Sequence, residues 1–214
     1  MNTTAEIEEI NIGENSASPF SPPKATIASE KEEEIPYKEM HPLLQRLIDE
    51  HKAYSKKLEE FEETLQIIES GKINREIDKR LRDFFAYLDE EIVPHNRDEE
   101  SQLFPRISEK MNKDGSHSKG EENFNVIDVL EDEHIKAIQL SAVTFNMFAL
   151  FARIPDERSR IMILDVALNQ ARELIELLKL HIYREDTIIF SYAHRNFLLR
   201  SCRRLRSVVN SFCY

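Results

Sequence analysis

The chain has 214 residues, 41% of them hydrophobic and 32% charged, with four glycines and no tryptophan. That balance suits one domain of long helices and speaks against a β-sandwich. A net charge of −11 argues against nucleic-acid binding by the body of the protein.

Residues 1–38 mix Ser, Pro, Asn and Glu, with Pro19, Pro22, Pro23 and Pro36, and are expected to be a disordered acidic leader. The folded part, residues 39–192, is expected to be one four-helix bundle. It starts near Pro42, a residue suited to the first turn of a helix. Apolar residues then recur alternately every three and four positions, which is helical periodicity. The first predicted helix covers about 42 to 70, with Leu44, Leu47, His51, Tyr54, Leu58, Phe61, Leu65 and Ile68 on one stripe, and it stops at Gly71. The second covers about 74 to 110 and carries Ile77, Leu81, Phe84, Leu88, Ile92, His95 and Glu99, with Pro94 expected to kink it. Met111 to Asn123 reads as a loop. The third helix covers about 124 to 153, with Ile127, Leu130, His134, Ala137, Ser141, Phe145 and Phe148; the fourth covers about 156 to 191, with Leu164, Ala171, Leu174, Leu178, His181, Glu185 and Ile188. Phe84, Phe85, Phe145 and Phe148 are expected to be ordinary core.

His51, His95, Glu99, His134, His181 and Glu185 all fall on these buried stripes. Burying even a neutral polar group without a partner costs roughly 2–7 kcal/mol, so this set needs a reason. The pattern also repeats. His95-Asn-Arg-Asp-Glu99-Glu-Ser-Gln-Leu-Phe104 parallels His181-Ile-Tyr-Arg-Glu185-Asp-Thr-Ile-Ile-Phe190. A His and a Glu four apart share one helix face. Each pair follows a helix with a lone His, so the chain reads as two half-sites of one metal centre. Imidazole and carboxylate ligands without thiolate suit iron, manganese or zinc. His51 and His95 would hold one metal, His134 and His181 the other, with Glu99 and Glu185 bridging. Glu100, one position further round the helix, is expected to matter little.

Together, Ile48-Asp-Glu-His51, His95-x-x-x-Glu99-Glu-x-x-Leu-Phe-Pro105, Asp132-Glu-His134 and His181-x-x-x-Glu185-Asp resemble the haemerythrin-like (HHE cation-binding) family over residues 42–190. The resemblance implies an all-α, up-and-down four-helix bundle around two non-haem iron ions with an oxo or hydroxo bridge. It implies binding of dioxygen, nitric oxide or peroxide in a sensor or protective role. The alternatives are an iron-dependent regulatory module, or a di-iron enzyme acting on peroxide or in iron–sulfur cluster repair. The oxygen carriers of this family have a further His one turn after the third-helix His, where this chain has Ile138. Four His rather than five favour a sensor, iron-handling or peroxide-reactive site. The carriers also place a carboxylate where Asp186 stands; helical spacing favours Glu185, with Asp186 the second choice.

The remaining segments add expectations of their own. His41 and His194 are expected at the surface. Residues 193–214 place Arg195, Arg200, Arg203, Arg204 and Arg206 among Phe197, Leu198, Leu205 and Phe212, the signature of a basic amphipathic helix. It would fold back on the acidic body or meet an anionic membrane or a protein partner. No apolar run is long enough to span a membrane. Cys202 and Cys213 do not make a disulfide framework, so a reducing cytoplasm is the expected setting.

Overall fold

The computed structural model describes residues 35–113 and 125–198. The leader before residue 35 and the tail from residue 199 lie outside the described residues, and so do the expectations placed on them. Among the described residues there are helices and no strands. Helix α1 spans Pro42–Glu69, α2 Arg75–Tyr87, α3 Val93–Asp98, α4 Phe104–Lys113, α5 Val126–Phe151, α6 Glu157–Arg184 and α7 Phe190–Ala193. Helices α2, α3 and α4 are consecutive parts of one helical column, interrupted by π turns at Leu88–Ile92 and Glu99–Leu103. A π turn at Glu185–Ile189 likewise joins α6 to α7, and another follows at His194–Leu198. The result is the expected four-column all-α bundle.

The ends of the helices are set by local chemistry. Pro42 opens α1 and the His41 ring accepts the Leu43 N–H. Gly71, with φ of 81°, closes that helix in the left-handed region that glycine adopts without strain. Asn74 caps α2 by accepting the Glu76 and Ile77 N–H groups, and Asn125 with Asp128 forms a capping box on α5. Asp156 caps α6 through the Ser159 N–H. Pro94 falls just after the first π turn, where the Val93 N–H bonds to the Leu88 carbonyl. That turn absorbs the bond that proline cannot make, and the helix continues as α3.

The apolar interior has two parts. The larger holds Tyr54, Leu58, Phe61, Phe84, Phe85, Leu88, Leu174 and Leu178 with their neighbours. The smaller holds Leu44, Leu47, Phe104, Ile107, Leu130, Ile189 and Phe190. The predicted ligand residues lie between the two in sequence on every column. Helix α5 packs chiefly on α6, while α1 packs on both α2 and α6.

Three expectations need correction. The loop expected from Met111 begins later, because Met111 is a core residue and α4 runs to Lys113. His194 is not solvated: it is 7% exposed, and its Nδ1 accepts the His41 N–H at 3.2 Å. The fourth column therefore continues beyond residue 191, tying its end to the start of α1. Phe84, Phe85 and Phe148 are core as expected, but Phe145 is 46% exposed.

Candidate metal centre

The six sequence-selected residues come together in the middle of the bundle. His51 lies on α1, His95 on α3, His134 on α5 and His181 on α6, while Glu99 and Glu185 each open a π turn. All six are buried, Glu99 to 2% exposure and Glu185 to 0%. Nε2 of His51 stands 3.0 Å from Nε2 of His95, and Nε2 of His134 stands 2.9 Å from Nε2 of His181. The carboxylates lie between these two pairs. Glu185 places one oxygen 3.2 Å from His51 and the other 3.2 Å from His181. Glu99 places one oxygen 3.5 Å from His95 and the other 3.9 Å from His134.

Each imidazole is oriented from behind by a further carboxylate. Nδ1 of His51 meets Asp186 at 2.8 Å, that of His95 meets Glu50 at 2.7 Å, that of His134 meets Glu100 at 2.7 Å, and that of His181 meets Glu133 at 3.1 Å. A carboxylate accepting from Nδ1–H fixes the tautomer and leaves the Nε2 lone pair facing inward, as metal ligation requires. The arrangement has an internal two-fold pattern. Glu50 and Glu133 each precede a His in sequence and support the His of the next column. Glu100 and Asp186 each follow an inner Glu and support a His on another column. Arg46 lies 3.5 Å from Glu50, and Arg184 contacts Glu133, so these two acids are themselves oriented.

The π turns explain the repeated Phe. On a regular α-helix the five residues from Glu99 to Phe104 would rotate by about 140°, carrying Phe104 off the inner face. In the structure the Phe104 N–H bonds to the Glu99 carbonyl and the Phe190 N–H to the Glu185 carbonyl. The extra residue held in each turn brings the ring back inward. Phe104 stacks on His134 with ring centroids 5.7 Å apart, and Phe190 stacks on His51 at 5.5 Å, both 14° from parallel. These rings seal one side of the centre. On the other side Tyr54, Leu58, Ile92 and Leu178 enclose a cavity of about 10 Å³ against His51, His95 and His181. That is the size of one water-sized molecule.

Electrostatics show a cluster short of positive charge. Burial pulls His51 down, but Asp186 and Glu185 together push it up to about 9. His95 and His181 are also raised, against burial, by Glu99 and Glu185 respectively. Burial and the charge of Glu185 push Glu99 up to about 7. Burial would raise Glu185 too, but His181 and His51 hold it well below the usual carboxylate range. Burial and the His181 charge lower His134 to about 4. Two like-charged carboxylates side by side cannot both ionise cheaply, and cations between them would remove that conflict.

The residues fit a metal pair on three observations. All four carboxylate oxygens of Glu99 and Glu185 are buried without a well-aligned hydrogen bond, and only the four imidazoles face them, an arrangement that leaves a large desolvation cost unmet. Ligand atoms of His51, His95, Glu99 and Glu185 lie within 4.8 Å of one another, and so do those of Glu99, His134, His181 and Glu185; the two groups share both carboxylates. Two nitrogens about 2.1 Å from one metal and at right angles to each other stand about 3.0 Å apart, which matches the Nε2 spacing of both His pairs.

Asp186, the second choice at the sequence level, does not converge with the inner set; it supports His51 instead. Ile138 faces outward at 48% exposure, whereas Ala137 is the buried residue one turn beyond His134. Glu50, Glu100 and Glu133 were not singled out as site residues from sequence, and Glu100 corrects the expectation that it matters little. The signal was present: an acid directly precedes His51 and His134, and an acid directly follows Glu99 and Glu185.

Residues 43–193 match the family model described as the Hemerythrin HHE cation binding domain. No curated protein and no solved structure is a significant match to the chain.

Proposed function

The chain belongs to the haemerythrin HHE cation-binding family, and from that premise we propose that it holds two iron ions and binds a small ligand, dioxygen, nitric oxide or peroxide, as a sensor or protective module. His51 and His95 would ligate one ion and His134 and His181 the other, with Glu99 and Glu185 shared. The observation that carries this reading is that both carboxylates are common to two otherwise separate His pairs. An iron pair there would supply redox-active centres able to take up a small ligand. The protein's part is to limit what arrives. The cavity beside His51, His95 and His181 admits something the size of water or a diatomic molecule, and Tyr54, Leu58, Ile92 and Leu178 keep its walls largely apolar. The Tyr54 hydroxyl is turned away to the Glu91 carbonyl, at 3.3 Å.

A second reading, a regulatory module that reports iron supply, is favoured by the unbonded carboxylate oxygens. Without cations the bundle centre would keep buried, mutually repelling acids, so folding should depend on metal. The test of ligand binding is to expose reduced, iron-loaded protein to nitric oxide and to dioxygen and follow its absorption spectrum. A saturable change with either gas is expected. A spectrum that responds to neither would sink the small-ligand role while leaving the metal centre standing.

A further inference from the structure

At the end of the bundle remote from the centre, a half-open cleft of about 480 Å³ lies between the start of α2, the end of α5 and the start of α6. Ile68, seventeen residues along α1 from His51, lines it, which places it ~26 Å from the centre at 1.5 Å per residue. Its walls are apolar: Phe85, Phe145, Phe148, Ile73 and Leu164 contribute. Phe145 and Ile73 are 46% and 47% exposed, although both are large apolar side chains. Phe145 packs edge-on against Phe85 with centroids 5.4 Å apart, so it is held in place as a wall.

The charged lining is mostly cationic. It comprises Arg75, Arg82, Arg153 and Asp78. Asp78 is matched by Arg82. The Arg153 guanidinium bonds to the Ala149 carbonyl, at 3.2 Å, and among the described residues neither Arg153 nor Arg75 has an ion pair. Among the described residues these two guanidiniums thus lack carboxylate partners, and they border an aromatic cleft in a chain of net charge −11. A volume of this size and apolar walls with a few charged side chains in the lining are features of a small-molecule site, and a guanidinium fork matches a carboxylate.

We infer that this cleft binds an anionic amphiphile, a fatty carboxylate whose chain lies against Phe85, Phe145 and Phe148 and whose head meets Arg75 and Arg153. The site is separate from the metal centre and does not depend on the reading of that centre.

The test is isothermal titration of the full metal-loaded chain with decanoate and with the neutral decan-1-ol. Saturable binding of one decanoate per chain is expected. The double variant Arg75→Gln/Arg153→Gln should weaken decanoate about tenfold and leave decanol binding unchanged, because only the head group loses a charged partner. Phe145→Glu, at a solvent-facing position, should abolish binding of both while helicity and metal content stay those of the parent. Absence of saturable decanoate binding would overturn the proposal. So would decanoate binding that survives Phe145→Glu but disappears in Glu99→Ala, since that would place the carboxylate at the metal centre.

Discussion

The carboxylate of Glu50 on α1 sits 2.7 Å from Nδ1 of His95 on α3, so one helical column orients the imidazole of another. Glu133 does the same for His181 at 3.1 Å. Loss of such an outer partner typically weakens metal binding by about 10–100-fold. Glu50→Ala and Glu133→Ala should each do so in a competition titration against a chelator, whereas Glu59→Ala, on the solvent face of α1, should not. Equal affinity for all three variants would show that these carboxylates do not hold the ligands.

The shared carboxylates make a different prediction. Glu99→Ala removes an oxygen from each His pair, so occupancy of both metal positions should fall together, not one alone. Asp98→Ala, one residue earlier and solvent-exposed, is the control and should keep both metals. Metal analysis of the two purified variants decides the point; a Glu99→Ala protein that retains full metal would remove the bridging role.

How far the centre was legible in the sequence follows from its periodicity. Spacing by three and four fixed the stripe on each column, so His51, His95, Glu99, His134, His181 and Glu185 could be selected before any contact was known. The supporting acids could not, because Glu50, Glu100 and Asp186 lie at the edge of those stripes, where a carboxylate usually faces water. What brings them to an imidazole is the approach of a neighbouring column, which one-column periodicity does not contain. The π turns were hidden for a related reason. The repeated Phe104 and Phe190 were visible, but regular helical rotation puts them off the inner face, and only an extra residue in the turn returns them to the rings of His134 and His51. His194 was misplaced because its burial depends on the His41 backbone, far away in sequence.

Ile138 tests the register of α5. The resemblance to oxygen carriers placed a missing ligand there, but its side chain faces solvent at 48% exposure. Ile138→His should therefore leave metal content and the absorption spectrum unchanged. A new spectrum, or a gain in metal affinity, would mean that α5 is rotated relative to this arrangement.

Proton linkage gives a pH dependence with a definite sign. In metal-free protein the His51 proton persists up to about 9 and the Glu99 proton up to about 7. Both groups must be deprotonated to bind metal, so loading releases protons and apparent affinity rises with pH. The rise should continue from the neutral range towards about 9, where His51 no longer holds its proton in the metal-free protein. Chelator competition at a series of pH values reads this directly; an affinity independent of pH across that window would show that neither group is a ligand.

The most direct test of the account is the metal content of the full chain after anaerobic reconstitution, taken with its absorption spectrum after exposure to air. Two iron ions per chain are predicted, with charge-transfer absorption in the near ultraviolet that disappears in Glu99→Ala. Protein that takes up neither iron nor manganese would contradict the central claim.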